Sequence, residues 1–172
     1  VEAIERVRAL GWQLVEVDLE PFLETARLLY DGPWLAERYA AVGAFLCEHA
    51  DEVHPVTRAI IARGAEPSAA QAFTAFYRLQ RLARQTAPVW EEIDALVVPT
   101  APAIYTQAQV AADPIALNSR LGTFTNFVNL LDLAAVAVPA GFRADGLPFG
   151  VTLIGPCASE RMLLRYADRL HR

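Results

Sequence analysis

The densest pattern of apolar and polar positions lies in residues 118–156, NSRLGTFTNFVNLLDLAAVAVPAGFRADGLPFGVTLIGP. From Leu121 to Leu133 the side chains of Leu121, Phe124, Phe127, Val128 and Leu131 recur at helical spacing, while Thr123, Asn126 and Asn129 form a second stripe at three-residue steps. This predicts a helix with a half-buried, amide-bearing face. Asn126 and Asn129 need no functional explanation if they satisfy backbone groups at strand ends. Residues 134–139 are apolar without interruption, as a central strand covered by helices on both faces must be, so paired neighbours are expected on both of its sides. Asp145-Gly146 signals a tight hairpin, and residues 149–154 return as the next strand.

The remaining pattern is mostly helical. Residues 1–10 place Ile4, Val7 and Leu10 on one face, and Gly11 ends that helix. Residues 12–18 roughly alternate, as a strand would. A helix over 21–30 opens on Pro21 and closes at Asp31-Gly32. Another follows from Pro33 to residue 50, with Tyr39, Val42 and Leu46 facing inward. Pro55 interrupts the pattern before a short helix that ends at Gly64. The longest helix starts at Pro67-Ser68, where Ser68 and Gln71 have capping-box spacing. Phe73, Phe76, Leu79, Leu82, Val89 and Trp90 line one of its sides, and Pro88 should kink it. Residues 94–99 are a short buried strand, and the Pro- and Ala-rich stretch 100–114 lacks a period and is expected to be an irregular loop. Ser159 is placed to cap a last amphipathic helix through Leu163, Leu164, Tyr166 and Leu170. Helices between short strands, with one antiparallel hairpin, give an α/β fold: a mixed sheet covered by helices on both faces, in one partial domain spanning residues 1–172. The strands number about four, short of an average sheet, so the sheet looks cut and one edge should be bare.

Composition narrows the function classes. With 172 residues and 54% hydrophobic content the chain can build a core. A net charge of −5 without a basic cluster argues against nucleic acid as a partner. The longest apolar run is interrupted by Asp132 and Pro139 and is too short to span a bilayer, and no basic amphipathic helix suggests a membrane surface. Without a recognisable secretory signal, a cytoplasmic location is expected. Cys47 and Cys157 stand in unrelated contexts and read as buried thiols rather than a disulfide.

All 15 cationic residues are Arg, so no lysine base can reside in this chain. The serines, Ser68, Ser119 and Ser159, stand in no nucleophile elbow, and two of them have capping explanations. The run Cys47, His49, Asp51, Glu52, His54 lacks the paired spacing of a zinc site and reads as a solvated helix end, so no metal is expected. Asp18 with Glu20, and Glu91 with Glu92, read as surface acids. Recognition chemistry remains. Tyr30 and Arg38 flank the Asp31-Gly32-Pro33 turn, and a guanidinium can grip a carboxylate through two parallel hydrogen bonds while a phenol completes the clamp. An arginine on a surface helix is more often merely solvated, so spacing alone leaves this pair open. The cluster Asn118-Ser119-Arg120 is equally ambiguous.

The segments LLYDGPWLAERYAAV (28–42), ALVVPTAP (95–102) and residues 113–156 closely resemble the allophanate hydrolases of the amidase-signature family. The resemblance implies a large mixed sheet sandwiched by helices, of which this chain would be the C-terminal portion. Members hydrolyse an amide with a Ser nucleophile, a second Ser and a Lys base, all from the N-terminal half. None can be carried over here, so no catalytic residue is assigned. A Tyr and an Arg eight residues apart recognise the substrate carboxylate in those enzymes, and they match Tyr30 and Arg38. The implied reaction is hydrolysis of allophanate (urea-1-carboxylate), ending in ammonia and carbon dioxide, without metal or organic cofactor. The implied partners are allophanate and the N-terminal catalytic half. On its own the chain should be inactive and should self-associate. Two other readings stay open: a portion of another amidase or of a tRNA amidotransferase, and a noncatalytic binding domain.

Overall fold

The computed structural model describes residues 2–172, and Val1, the first residue of the expected first helix, lies outside the described residues. Three strands form its sheet in the order β1-β3-β2: β1 (Leu96–Pro99), β2 (Ala134–Phe142) and β3 (Pro148–Gly155). Both pairings are antiparallel, with Leu96 and Ala135 each opposite Ile154. The hairpin joining β2 to β3 turns where Asp145-Gly146 predicts. Gly146 has φ +79°, a conformation an L-residue adopts only at a cost, and its N–H donates to the Arg143 carbonyl at 2.9 Å. The uninterrupted apolar strand is not the central one. Among the described residues β2 pairs only with β3 and forms an edge, and Ala135 and Ala137 are exposed. Small side chains made that run look buried on both faces.

Alternation along β3 divides the core into two layers. Val151 and Leu153 join Val138 of β2 and pack under Val7 of α1 (Glu2–Ala9) and Leu163 and Leu170 of α10 (Glu160–His171). Ile154, with Leu96 and Val98 of β1, faces the opposite way. It meets Phe22 of α2 (Glu20–Asp31) and Phe127 of α9 (Asn126–Leu130). Phe22 and Phe127 are fully buried, with ring centroids 5.1 Å apart and tilted. The α/β expectation, with helices on both faces of the sheet, holds.

A helical arm continues from this core. It comprises α3 (Trp34–Glu48), α4 (Pro55–Ala62), a 3-10 turn (Arg63–Ala65) and α5 (Ala69–Thr86), followed by the single-turn α6 (Val89–Glu92). The capping box that starts α5 is present: Ser68 Oγ accepts from the Gln71 N–H at 3.2 Å, and Gln71 Oε1 accepts from the Ser68 N–H at 2.8 Å. Pro88 does not kink α5; the helix stops at Thr86 and Pro88 caps α6. On α3 the buried residues are Leu35, Gly43 and Leu46, with Tyr39 half-buried and Val42 exposed.

Several local expectations are corrected. Residues 12–18 form no strand, because no neighbouring strand offers them a ladder among the described residues. The stretch 100–114 is not irregular throughout. It contains α7 (Gln107–Ala112), started by a Thr106/Gln109 capping box, and leads into α8 (Pro114–Leu121), where Asp113 accepts from the Ala116 N–H. The helix read across Leu121 to Leu133 is broken. The Thr125 N–H donates to Gly122 O in a turn ahead of α9, Asp132 at φ 53° ends that helix, and Asn129 is exposed. Cys47 and Cys157 are both exposed, Cys47 lying beside the inward-facing Leu46 on α3. Ser159 stands at the N-cap of α10 without a side-chain capping bond, and its buried Oγ has no partner. On α10, Leu164 points to solvent.

Candidate functional site

Tyr30 lies in the last turn of α2, and Arg38 lies in the second turn of α3. Pro21 in its first turn gives α2 a preset φ, and the helix ends where the Gly32 N–H bonds the Leu28 carbonyl at 2.9 Å. Pro33 then starts α3, so the chain bends between the two side chains. Both are half-buried, and neither has a hydrogen-bond or ion partner among the described residues.

Tyr30 lines a cavity of about 440 Å³ together with Leu28, Leu35, Arg63, Gln71 and Arg78. Arg38 is not among its lining residues, so the structure does not bring the pair into one pocket. Leu35 links them: it lines the cavity and stands three residues before Arg38, on the same stripe of α3. The cavity exists because α3 and the Arg63–Ala65 turn touch backbone to backbone. A Cβ on Gly64 would sit 2.1 Å from the Leu35 carbonyl oxygen, so only glycine permits the approach that brings Arg63 opposite Tyr30. Arg78 is engaged elsewhere, with Nη2 2.8 Å and Nε 2.9 Å from Glu24 Oε1, which ties α5 to α2. Arg63 has no ion partner among the described residues. The wall offers a phenol, a guanidinium and an amide as donors to a small carboxylate, beside the Glu66 carboxylate, whose charge opposes one. Sequence reading missed Arg63, since nothing local marks it; it reaches the site only through the Gly64 contact.

The other candidates separate. Asn118 and Arg120 are exposed on α8. Thr123 donates its hydroxyl to Arg120 O at 2.7 Å, and the side chains of Asn126 and Asn129 make no hydrogen bond among the described residues. His49 pairs with Glu52 at 2.8 Å on an exposed helix end, as expected, and no cluster among the described residues could hold a metal ion. Asp18, Glu20, Glu91 and Glu92 are all exposed. No helix among the described residues is long and apolar enough to cross a membrane.

At the far end of the sheet, the loop leaving β1 meets the hairpin. Thr100 lines a shallow groove with Gly150, Pro139 and Phe149, and its hydroxyl lies 3.0 Å from that of the buried Thr152 behind it. Two of the stretches that carried the family resemblance, ALVVPTAP and the part of β2 that holds Val138-Pro139, thus converge on one surface through β3.

The chain is similar to known proteins in sequence and fold. The Amidase family model matches residues 1–164. The urea amidolyase of Saccharomyces cerevisiae is 46% identical over 169 residues, covering 97% of this chain and 9% of that protein. The solved allophanate hydrolase of Kluyveromyces lactis superposes with a TM-score of 0.93 at 44% identity, covering 98% of this chain and 28% of that one. A glutamyl-tRNA(Gln) amidotransferase polypeptide from Granulibacter bethesdensis is 35% identical over 92 residues, 53% of this chain and 18% of the relative. The chain thus spans well under a third of the urea amidolyase and of the allophanate hydrolase, both of which it matches along nearly its whole length. With the family model covering nearly all of it and the fold shared with a solved member, the chain belongs to the amidase family.

Proposed function

We propose that this chain is the substrate-recognition portion of an allophanate hydrolase, in which Tyr30 and Arg38 hold the carboxylate of urea-1-carboxylate. A single observation carries the reading. Two half-buried side chains able to grip a carboxylate bracket one helix bend, in a chain 44% identical over 98% of its length to an allophanate hydrolase. Arg38 supplies two parallel N–H donors and the charge, and Tyr30 supplies a phenol on the other side of the bend. The reacting amide is then presented to groups outside this chain, because a nucleophile needs a base within hydrogen-bond reach and no lysine is present. The partner is accordingly the catalytic part of the same enzyme, N-terminal to this portion.

In a complete enzyme carrying this chain, Arg38→Ala should lower kcat/KM for allophanate by about 2–4 kcal/mol while leaving the fold intact, with Tyr30→Phe milder and Arg38→Lys an incomplete rescue. Kinetics of Arg38→Ala within about twofold of the parent would return Arg38 to a solvated surface role. The similarity to an amidotransferase favours a second reading, a portion acting on a neutral amide; that substrate would give Arg38 no partner, and the same variant separates the two.

The chain alone should release no ammonia from allophanate. It should also self-associate at micromolar concentration, since it carries exposed apolar side chains and a sheet edge. Sedimentation and an ammonia assay on the pure chain check both. Turnover above background, or a well-folded monomer indifferent to the catalytic part, would favour a self-contained domain.

A further inference from the structure

We infer that Tyr39, held between Gly43 and Gly64, is a positioning residue that sets the direction in which Arg38 leaves α3. This rests on the reading that Arg38 grips the substrate carboxylate, and it names what aims that grip.

Arg38 is half-buried in the second turn of α3 and has no hydrogen-bond or ion partner of its own among the described residues. A guanidinium makes two parallel bonds to a carboxylate only when its plane is correctly aimed, so the aim has to come from the helix that carries it. That helix is anchored along the adjoining stripe. Leu35, Tyr39 and Gly43 follow one another at four-residue steps, and Leu35 and Gly43 are buried. Gly43 stands inside a 15-residue helix, where glycine is less stable than alanine. Packing supplies the reason for it: the Tyr39 ring lies over Gly43, and a Cβ there would sit 3.1 Å from Tyr39 Cζ and 3.2 Å from both Cε atoms.

The other end of the same side chain rests on the second glycine. A Cβ on Gly64 would sit 2.7 Å from Tyr39 Cβ, besides its clash with the Leu35 carbonyl. Two glycines thus give up their space to one residue, whose Cβ meets the Arg63–Ala65 turn and whose ring covers the backbone of its own helix. Tyr39 is the immediate neighbour of Arg38. Any rotation of this turn of α3 that re-aimed Arg38 would drive Tyr39 into the Arg63–Ala65 turn or lift its ring off Gly43, and close packing resists both. Tyr30 is held from elsewhere: α2 is fixed in the core through Phe22 and Ala26 and tied to α5 by the Glu24–Arg78 pair. The two halves of the clamp therefore sit on separately anchored helices, and the contacts of Tyr39 set the orientation of one half against the other.

Steady-state kinetics of a complete enzyme carrying this chain test the assignment, with Gly43→Ala and Gly64→Ala each made in the parent and in Arg38→Ala. Gly43→Ala asks the Tyr39 ring to give by only a few tenths of an ångström, and alanine is the better helix former, so this variant should fold even if Gly64→Ala does not. Gly43→Ala should raise KM for allophanate about threefold, and Gly64→Ala, which presses on backbone, about tenfold. Loss of folded enzyme alone would lower the apparent kcat and leave KM where it was. In the Arg38→Ala background neither glycine substitution should lower kcat/KM by more than about a further twofold, because the group they aim is gone. A parental KM in every glycine variant that folds, with Arg38→Ala crippled, overturns the positioning role and leaves the recognition reading standing. Losses equal with and without Arg38 also overturn it, as damage that does not pass through the guanidinium. Arg38→Ala kinetics within about twofold of the parent overturn both readings.

Discussion

The sheet with its flanking helices and the arm made of α3, α4 and α5 use the same hydrophobic vocabulary to opposite ends. In the first region the large apolar side chains close on one another: Leu153, Ile154, Phe22, Phe127, Leu163 and Leu170 are essentially inaccessible. In the arm, α4 buries nothing, α5 buries only Leu82 and Thr86 near its end, and Phe73 and Phe76 are 61% and 50% exposed. The N-terminal part of the apolar stripe along α5, Phe73 and Phe76, therefore stands outside the core that Leu82 enters. A helical period identifies which side chains share a face, and it is silent on whether the surface they face belongs to the same chain.

The contrast can be broken by substitution. Leu153→Ala should have the largest effect. It deletes side-chain volume at the centre of β3 and should cost about 2–5 kcal/mol in denaturant unfolding of the chain. A loss under about 1 kcal/mol would mean that the sheet is not its stabilising centre. Gly64→Ala comes next, because the added Cβ meets the Leu35 carbonyl, which cannot swing aside as a side chain tip would. About 1–3 kcal/mol is expected, together with loss of the Tyr30 cavity, and a crystal structure of the variant with an unaltered cavity would refute the contact's role. Phe76→Ala should be smallest, within about 0.5 kcal/mol in the chain alone, read as a shift in unfolding midpoint. If it costs as much as Leu153→Ala, the arm carries a core of its own and the contrast fails.

What could be read without the structure follows the same division. The Ser68/Gln71 capping box and the Asp145-Gly146 turn were legible because each is decided by neighbours within four residues. The strand expected over 12–18 was not, because a strand is defined by its partner, and the described residues contain none for it. The apolar run in β2 reads as wanting neighbours on both sides in a sheet that looks cut, and among the described residues it has one neighbour and a bare edge. The Thr106/Gln109 box was hidden in a Pro- and Ala-rich stretch whose composition drew attention from its spacing. At the candidate site, Tyr30 and Arg38 were marked by their turn and by family resemblance. Arg63 was invisible, since only the Gly64 close approach carries it there.

The sheet's connectivity also bears on the order of folding. β2 and β3 are joined by a tight turn, whereas β1 reaches β3 from far away in sequence, Thr100 and Thr152 being 52 residues apart. Closing the longer loop costs about 2 kcal/mol more in chain entropy than closing the hairpin. On chain entropy alone, forming the hairpin before β1 docks is the favoured order. In that order the outer edge of β1, at one end of the sheet, is the last edge to be laid down. In a longer polypeptide it is where a segment synthesised elsewhere in the chain would be added to a sheet already half assembled.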